Sequence, residues 1–208
     1  MILHWDQVAL HYGHGRIEIK RGQNSGNWLA RDYLAQYKKK YLRAENATYG
    51  FLFSPVSFEE IEMTQSGGGK HAEENLMATK TWNTDIPVAI DNAFQGYSDT
   101  FNVILGINRT PCGNCTNLLV EKLAELHRRF PRRVENARFI LASLGAYRPN
   151  ETRPDNPRTA IKDLTLLKKA GWELCVLQTG DRLTQNGRVL HETLENLGQR
   201  GILRLDNH

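Results

Sequence analysis

From residue 101 onward, short apolar runs alternate with longer stretches of helical apolar period. Phe101-Asn102-Val103-Ile104-Leu105-Gly106-Ile107, Ala137–Ala146 and Glu173–Gln178 are mostly apolar and predict strands. Between them, residues 113–130 repeat Leu119, Leu123, Leu126 and Phe130 on one face. Residues 157–170 carry Ile161, Leu164, Leu166 and Leu167 and end at Gly171. Both stretches predict helices, and a polar helix is expected at 187–198. Upstream the pattern is weaker. Residues 27–44 place Trp28, Tyr33, Leu34, Tyr37, Tyr41 and Leu42 near one face, with Lys38, Lys39 and Lys40 elsewhere, and predict a helix. Residues 48–64 predict two short strands joined at Ser54-Pro55. Ser66-Gly67-Gly68-Gly69 leads into a helix at 71–80, and 81–99 is turn-rich and expected to be a loop. Residues 2–20 alternate weakly around Gly13-His14-Gly15, which suggests a hairpin.

Strands without strict alternation, separated by helices, indicate a sheet covered on both faces. About 25 residues with a helix lie between Ala146 and Glu173, so the last two core strands are expected to be parallel, joined by a crossover. The expectation is an α/β fold, a three-layer α/β/α sandwich on a five-stranded mixed sheet. A chain of 208 residues suits one domain: an N-terminal extension at 1–26, a core at 27–180 and a C-terminal helix at 181–208.

Composition narrows the function classes. There are three cysteines, Cys112, Cys115 and Cys175, too few for a disulfide framework. No apolar run reaches membrane-span length, and the start lacks a signal-peptide pattern. An intracellular, cytoplasmic protein with no membrane partner is expected. Net charge is +4 and pI about 9.0, which permits a polyanionic partner.

The chemistry concentrates in two motifs, His71-Ala72-Glu73 within GGGKHAEENL and Pro111-Cys112-Gly113-Asn114-Cys115 within INRTPCGNC. Cys112 and Cys115 stand at i and i+3 in a first helical turn, so their sulfurs point to one side. The helix N-terminus favours thiolates there. His71 and Glu73 share the first turn of another helix. His71, Cys112 and Cys115 supply three Zn²⁺ ligands and Glu73 a carboxylate that is not a ligand. Three protein ligands leave a fourth position for water, as catalytic zinc requires. Two thiolates and an imidazole leave the ion nearly neutral, so a nearby base matters more, and Glu73 fits that role. A structural zinc site would need a fourth ligand. Cys175 is the only spare thiol, and it sits in the apolar run ELCVLQ.

These motifs are the H-x-E and P-C-x-x-C signature of the zinc-dependent base deaminases. Over roughly residues 27–180 the chain resembles the cytidine deaminase superfamily, and within it the branch of AID/APOBEC polynucleotide cytosine deaminases and bacterial deaminase toxins. LLKKAGWELCVLQ resembles the helix-to-strand passage of that branch. The resemblance implies that His71, Cys112 and Cys115 bind zinc and that Glu73 shuttles protons, with Ala72 lining the substrate site between them. Thr110 takes the position of a serine whose backbone helps hold the cytosine amino group. Arg109 stands where the family has tryptophan, a departure that bears on pocket shape and on the base accepted. Tyr147, in GAYRPN, falls in a loop that in the resembling enzymes contacts the neighbouring nucleotide, where it could stack on a base; it reads equally as a surface tyrosine capping the strand end. Asn24 and Asn27 precede the first predicted helix, where relatives place a ribose-contacting asparagine. Asn27 is equally suited to cap that helix.

The resemblance implies a zinc hydrolase converting cytosine to uracil in a single-stranded polynucleotide partner, DNA rather than RNA. Two alternatives remain open: a deaminase of a small nucleoside, nucleotide or free base, and a non-catalytic zinc protein that binds nucleic acid. Arg128, Arg129, Arg132 and Arg133 flank Phe130-Pro131. They read either as a phosphate track or as a solvated helix end. His4, His11, His14, His127, His191 and His208 have no partner at metal spacing.

Overall fold

The polypeptide is built around one mixed sheet whose strands come from both ends of the sequence. A computed structural model of the chain describes residues 1–4, 16–19, 26–29, 48–53, 62–94, 101–146 and 157–199. The strands are β1 (Ile2–His4), β2 (Arg16–Ile19), β3 (Gly26–Leu29), β4 (Tyr49–Phe53), β5 (Glu62–Gln65), β6 (Phe101–Ile107), β7 (Ala137–Ser143) and β8 (Glu173–Gln178). The helices are α1 (Ala72–Met77), α2 (Ile86–Phe94), α3 (Gly113–Arg129), α4 (Pro157–Lys169) and α5 (Gln185–Gln199). Among the described residues, no helix is long and apolar enough to cross a membrane.

The main sheet has six strands in the order β1-β8-β7-β6-β4-β5. β6, β7, β8 and β1 are mutually parallel, and β4 runs antiparallel to both of its neighbours, β6 and β5. The five expected strands are present, and the last two, β7 and β8, are parallel with α4 between them, as a helical crossover requires. The sixth strand, β1, comes from the segment expected to be an extension. The 2–20 hairpin is not formed: β1 pairs with β8, and β2 pairs with β3 in a separate two-stranded sheet. Local alternation cannot reveal a parallel partner this distant in sequence.

Two further expectations are corrected. The helix at 27–44 cannot begin at 27, because Gly26–Leu29 is a strand and Asn27 is in register with Glu18; an N-cap role for Asn27 falls with it. Residues 30–47, with Lys38–Lys40, lie outside the described residues. The loop expected at 81–99 is largely helical. A π turn at Thr81–Asp85 runs into α2. There Ile86, Ala89, Ile90 and Ala93 are buried at helical spacing. Pro87, which has no N–H to donate, directly follows that π turn within a continuous helical run.

On one sheet face, Leu52, Val103, Leu105, Ile107, Phe139 and Leu141 pack against residues of α1, α2 and α3. Trp82, Phe139 and Trp172 form an aromatic triad with ring centroids about 6 Å apart, and the Trp172 indole donates to the Leu119 carbonyl. Leu164 of α4, Val176 of β8 and Leu190, Leu194 and Leu197 of α5 make a second cluster. On the opposite face Phe51, Ile104, Ile140, Cys175 and Leu177 are also buried. The fold is the expected three-layer α/β sandwich.

Two glycines set close approaches that place the site. A Cβ on Gly50 would lie 2.8 Å from Leu76 Cδ1 and 3.5 Å from the Ala72 Cβ. Glycine there lets α1 lie close on β4. A Cβ on Gly106 would lie 2.1 Å from the ring of Phe51, its cross-strand partner. That position of β6 is left empty so that a fully buried aromatic can cover it.

Candidate metal centre

The site forms where two helices begin beside β4 and β6. His71 is the N-cap of α1, with extended φ/ψ. Its backbone N–H donates to the Glu74 carboxylate at 2.6 Å. Glu74 is the third helical residue and caps α1 from within the first turn, half of a capping box. Neighbouring glutamates thereby divide their duties: Glu74 faces the helix end, and Glu73 turns inward and is 2 % exposed. Cys112 is the N-cap of α3, also extended, and its carbonyl accepts from the Thr116 N–H at 2.8 Å. One turn on, Cys115 is buried, while Cys112 is half-buried and His71 exposed.

These three side chains converge. His71 Nδ1 is 3.4 Å from Cys112 Sγ and 3.2 Å from Cys115 Sγ. The three atoms lie within 4.8 Å of one another, close enough to hold one metal ion. A tetrahedral zinc about 2.3 Å from sulfur and about 2.0 Å from nitrogen separates these donors by about 3.5 Å. The observed spacings match that requirement, and two sulfurs with an imidazole suit zinc. Cys175, the only other thiol, is buried in β8 and belongs to no such group among the described residues.

The electrostatics fit the same use. The Cys112 thiol is lowered to about 5, chiefly by a hydrogen bond from Cys115, with help from the Cys115 and Asn114 backbone. The same hydrogen bond raises Cys115, so the two sulfurs share a proton that a metal would displace. Burial raises the Glu73 carboxyl. The Cys112 charge adds to the rise, while the Glu73 backbone amide, His71 and Cys115 oppose it. One Glu73 oxygen, Oε2, is fully buried and has no hydrogen-bond partner. A buried charged acceptor without a partner is costly, and this oxygen can accept a hydrogen bond from a bound group.

No family model matches the chain, and no curated protein matches it in sequence. The site therefore rests on its own geometry.

The remaining site residues are placed as follows. Ala72 is buried where α1 meets β4. Arg109 and Thr110 follow β6 on the way to Cys112; Arg109 is half-buried and Thr110 buried. The Thr110 N–H donates to the Gly145 carbonyl at 3.0 Å, tying this loop to the end of β7. Asn27 lies in β3. Tyr147 and Asn24 lie outside the described residues. Glu74 was missed from sequence, although a glutamate three residues after the residue opening a helix is the signal that marks it.

Proposed function

We propose that the chain is a zinc-dependent hydrolytic deaminase of the cytidine deaminase superfamily, converting cytosine to uracil in single-stranded polynucleotide, DNA rather than RNA. The observation that carries the reading is Glu73. A buried carboxylate with an unpartnered oxygen beside a three-ligand metal group serves proton transfer better than structure. When bound, zinc with three protein ligands supplies an acidified water at its open position.

The chain's own residues divide the remaining work. His71, Cys112 and Cys115 hold the metal. The raised pKa of Glu73 brings it toward the range in which a carboxylate can both accept and return a proton near neutrality. It would take the first proton from the water and pass it to ring N3, then take the proton of the hydroxyl newly formed on C4 and pass it to the amino group, which leaves as ammonia. Its burial keeps those protons from exchanging with bulk solvent. The Thr110 backbone, fixed by its bond to Gly145, is assigned to the exocyclic amino group.

The polynucleotide substrate is supported by the parallel β7–β8 pair with its α4 crossover and by the basic charge. A single strand also presents its base without the few kcal/mol needed to flip one from a duplex. The test is mass-detected deamination of single- and double-stranded DNA, RNA, cytidine, deoxycytidylate and adenine-containing oligonucleotides. Cytosine in single-stranded DNA should react fastest. Faster turnover of cytidine or deoxycytidylate at both low and moderate salt would replace the polynucleotide reading with the small-molecule one. A zinc-loaded protein inert on every substrate would leave a non-catalytic zinc protein.

A further inference from the structure

The far end of α3 carries charge that the metal centre does not use. From the cysteines the helix runs 17 residues to Arg129. His127, Arg128, Arg129 and Arg132 are exposed at that end. α4 finishes beside them. A side chain on Gly171 would come within 3.7 Å of His127 Nε2, and Lys168 and Lys169 occupy the last turn of α4. Two helix C-termini thus meet at one end of the molecule and gather five permanent cations.

Three carboxylates nearby are already engaged, while exposed Glu135 stands three residues from Arg132. Lys122 pairs with Glu125, Arg133 with Asp91, and Arg138 with Glu173 through two bonds. Among the described residues, Arg128, Arg129, Arg132, Lys168 and Lys169 have no carboxylate within ion-pair distance. The Arg129 guanidinium lies 5.3 Å from the Phe130 ring centroid, which positions it without neutralising it. One cation near a helix C-terminus gains only about 0.3–1 kcal/mol from the dipole. Five around two adjacent ends also repel one another, so dipole compensation alone does not explain the cluster.

We propose that the joined ends of α3 and α4 form a docking surface for the phosphodiester backbone of a nucleic acid, about 25 Å from the metal centre along α3. Three of the five cations are arginines, whose planar forks grip phosphate bidentately. An anionic membrane is the poorer fit. The exposed large apolar side chains among the described residues are Met1, Val88, Ile161 and Val189, and none stands beside these cations in sequence to insert into lipid. The proposal extends the polynucleotide reading without depending on it, because a backbone contact needs no reacting base.

The test uses an oligothymidylate, which has no amino group to deaminate. Its binding to the zinc-loaded full chain is followed by fluorescence anisotropy across a salt series. The Arg128→Ala/Arg129→Ala/Arg132→Ala variant is compared with wild type, with a Lys168→Gln/Lys169→Gln variant in the other helix as the second perturbation. Each lost contact to a single strand should lower the salt slope by about 0.7, so the triple variant should lose about 2 in slope. It should lose about 100-fold in affinity at 0.1 M salt when counterion release supplies the whole contribution. Its turnover of a substrate too short to span the molecule should be unchanged. Unaltered slope and affinity in both variants, or no oligothymidylate binding by wild type at low salt, would overturn the proposal. So would charge-dependent binding to phosphatidylserine vesicles without oligonucleotide binding.

Discussion

Replacing Glu73 with glutamine keeps the shape of the side chain and removes its charge and its proton chemistry. Two opposite effects are expected. Turnover should fall by about 10²–10⁴-fold or more, the range of one general acid–base group, because the same carboxyl serves several transfers. Stability should rise. The unpaired charge is buried, at a cost of about 1–3 kcal/mol, and glutamine removes that charge while keeping a polar atom in place. For a chain of this size each kcal/mol moves Tm by about 2–4 °C, so the variant should melt about 2–12 °C higher. The pH dependence has a definite sign. Burial raises the folded-state pKa of Glu73, so the fold disfavours its charged form. The penalty is absent where Glu73 is protonated in both states, below about pH 4.5. It grows as pH rises through the folded-state value and is then constant. The stabilisation by glutamine should vanish near pH 4 and increase as pH rises above it, in metal-free protein melted across that range. Zinc content should stay at the wild-type level. A Glu73→Gln protein that melts below wild type at pH 8 would refute the account of the orphaned oxygen. Turnover within tenfold of wild type would remove Glu73 from the mechanism.

Purified protein should hold about one zinc per chain, and Cys112→Ser should abolish this; stoichiometric metal in that variant would mean the ligands are misassigned. In metal-free protein at pH 6, iodoacetamide should label Cys112, lowered to about 5, ahead of Cys115 and Cys175, both of which are raised; mass mapping reads the order, and added zinc should suppress it. Glu74→Ala should cost about 0.5–2 kcal/mol as a lost cap and weaken zinc binding through the freed His71 backbone, measured by chelator competition; unchanged affinity would confine Glu74 to the helix. Gly106→Ala should destabilise by about 1–3 kcal/mol, since its Cβ would enter the Phe51 ring. Chemical denaturation of Gly106→Ala with Phe51→Leu should recover part of that loss, and additive effects would deny the contact.

The second half of the chain was legible because each element carries its own signal. The apolar runs of β6 and β8 match the strand bounds, and α3 shows Leu119, Leu123 and Leu126 buried at the expected spacing. The first half was not, because tertiary contacts decide it. Thr81, Asn83, Thr84, Asp85 and Pro87 read as breakers, yet Trp82, Ile86 and Ile90 gain more from burial under the sheet than those residues lose in helix propensity. For the site, the spacing of His71, Glu73, Cys112 and Cys115 sufficed to bring three of them to one point. What spacing could not give is the allocation of Glu73 and Glu74, since adjacent identical residues are distinguished only by which way the helix turns them. Nor could it join the ends of α3 and α4, which lie together only after the crossover is made.

The pairing of β1 with β8 has a consequence in time. Ile2 lies in register with Val176, so nearly the whole chain must be synthesised before the first strand finds that partner. At about 5–20 residues per second the interval is about 10–35 s. Through it β1 is a short apolar segment with its edge unmatched, and once β8 is in place the pairing closes a loop of very high sequence separation. β1 should be the last strand to dock and the first to release. Amide exchange at the β1–β8 seam should therefore be faster than along β6 and β7, and the nascent chain should depend on chaperones until β8, at Glu173–Gln178, has emerged.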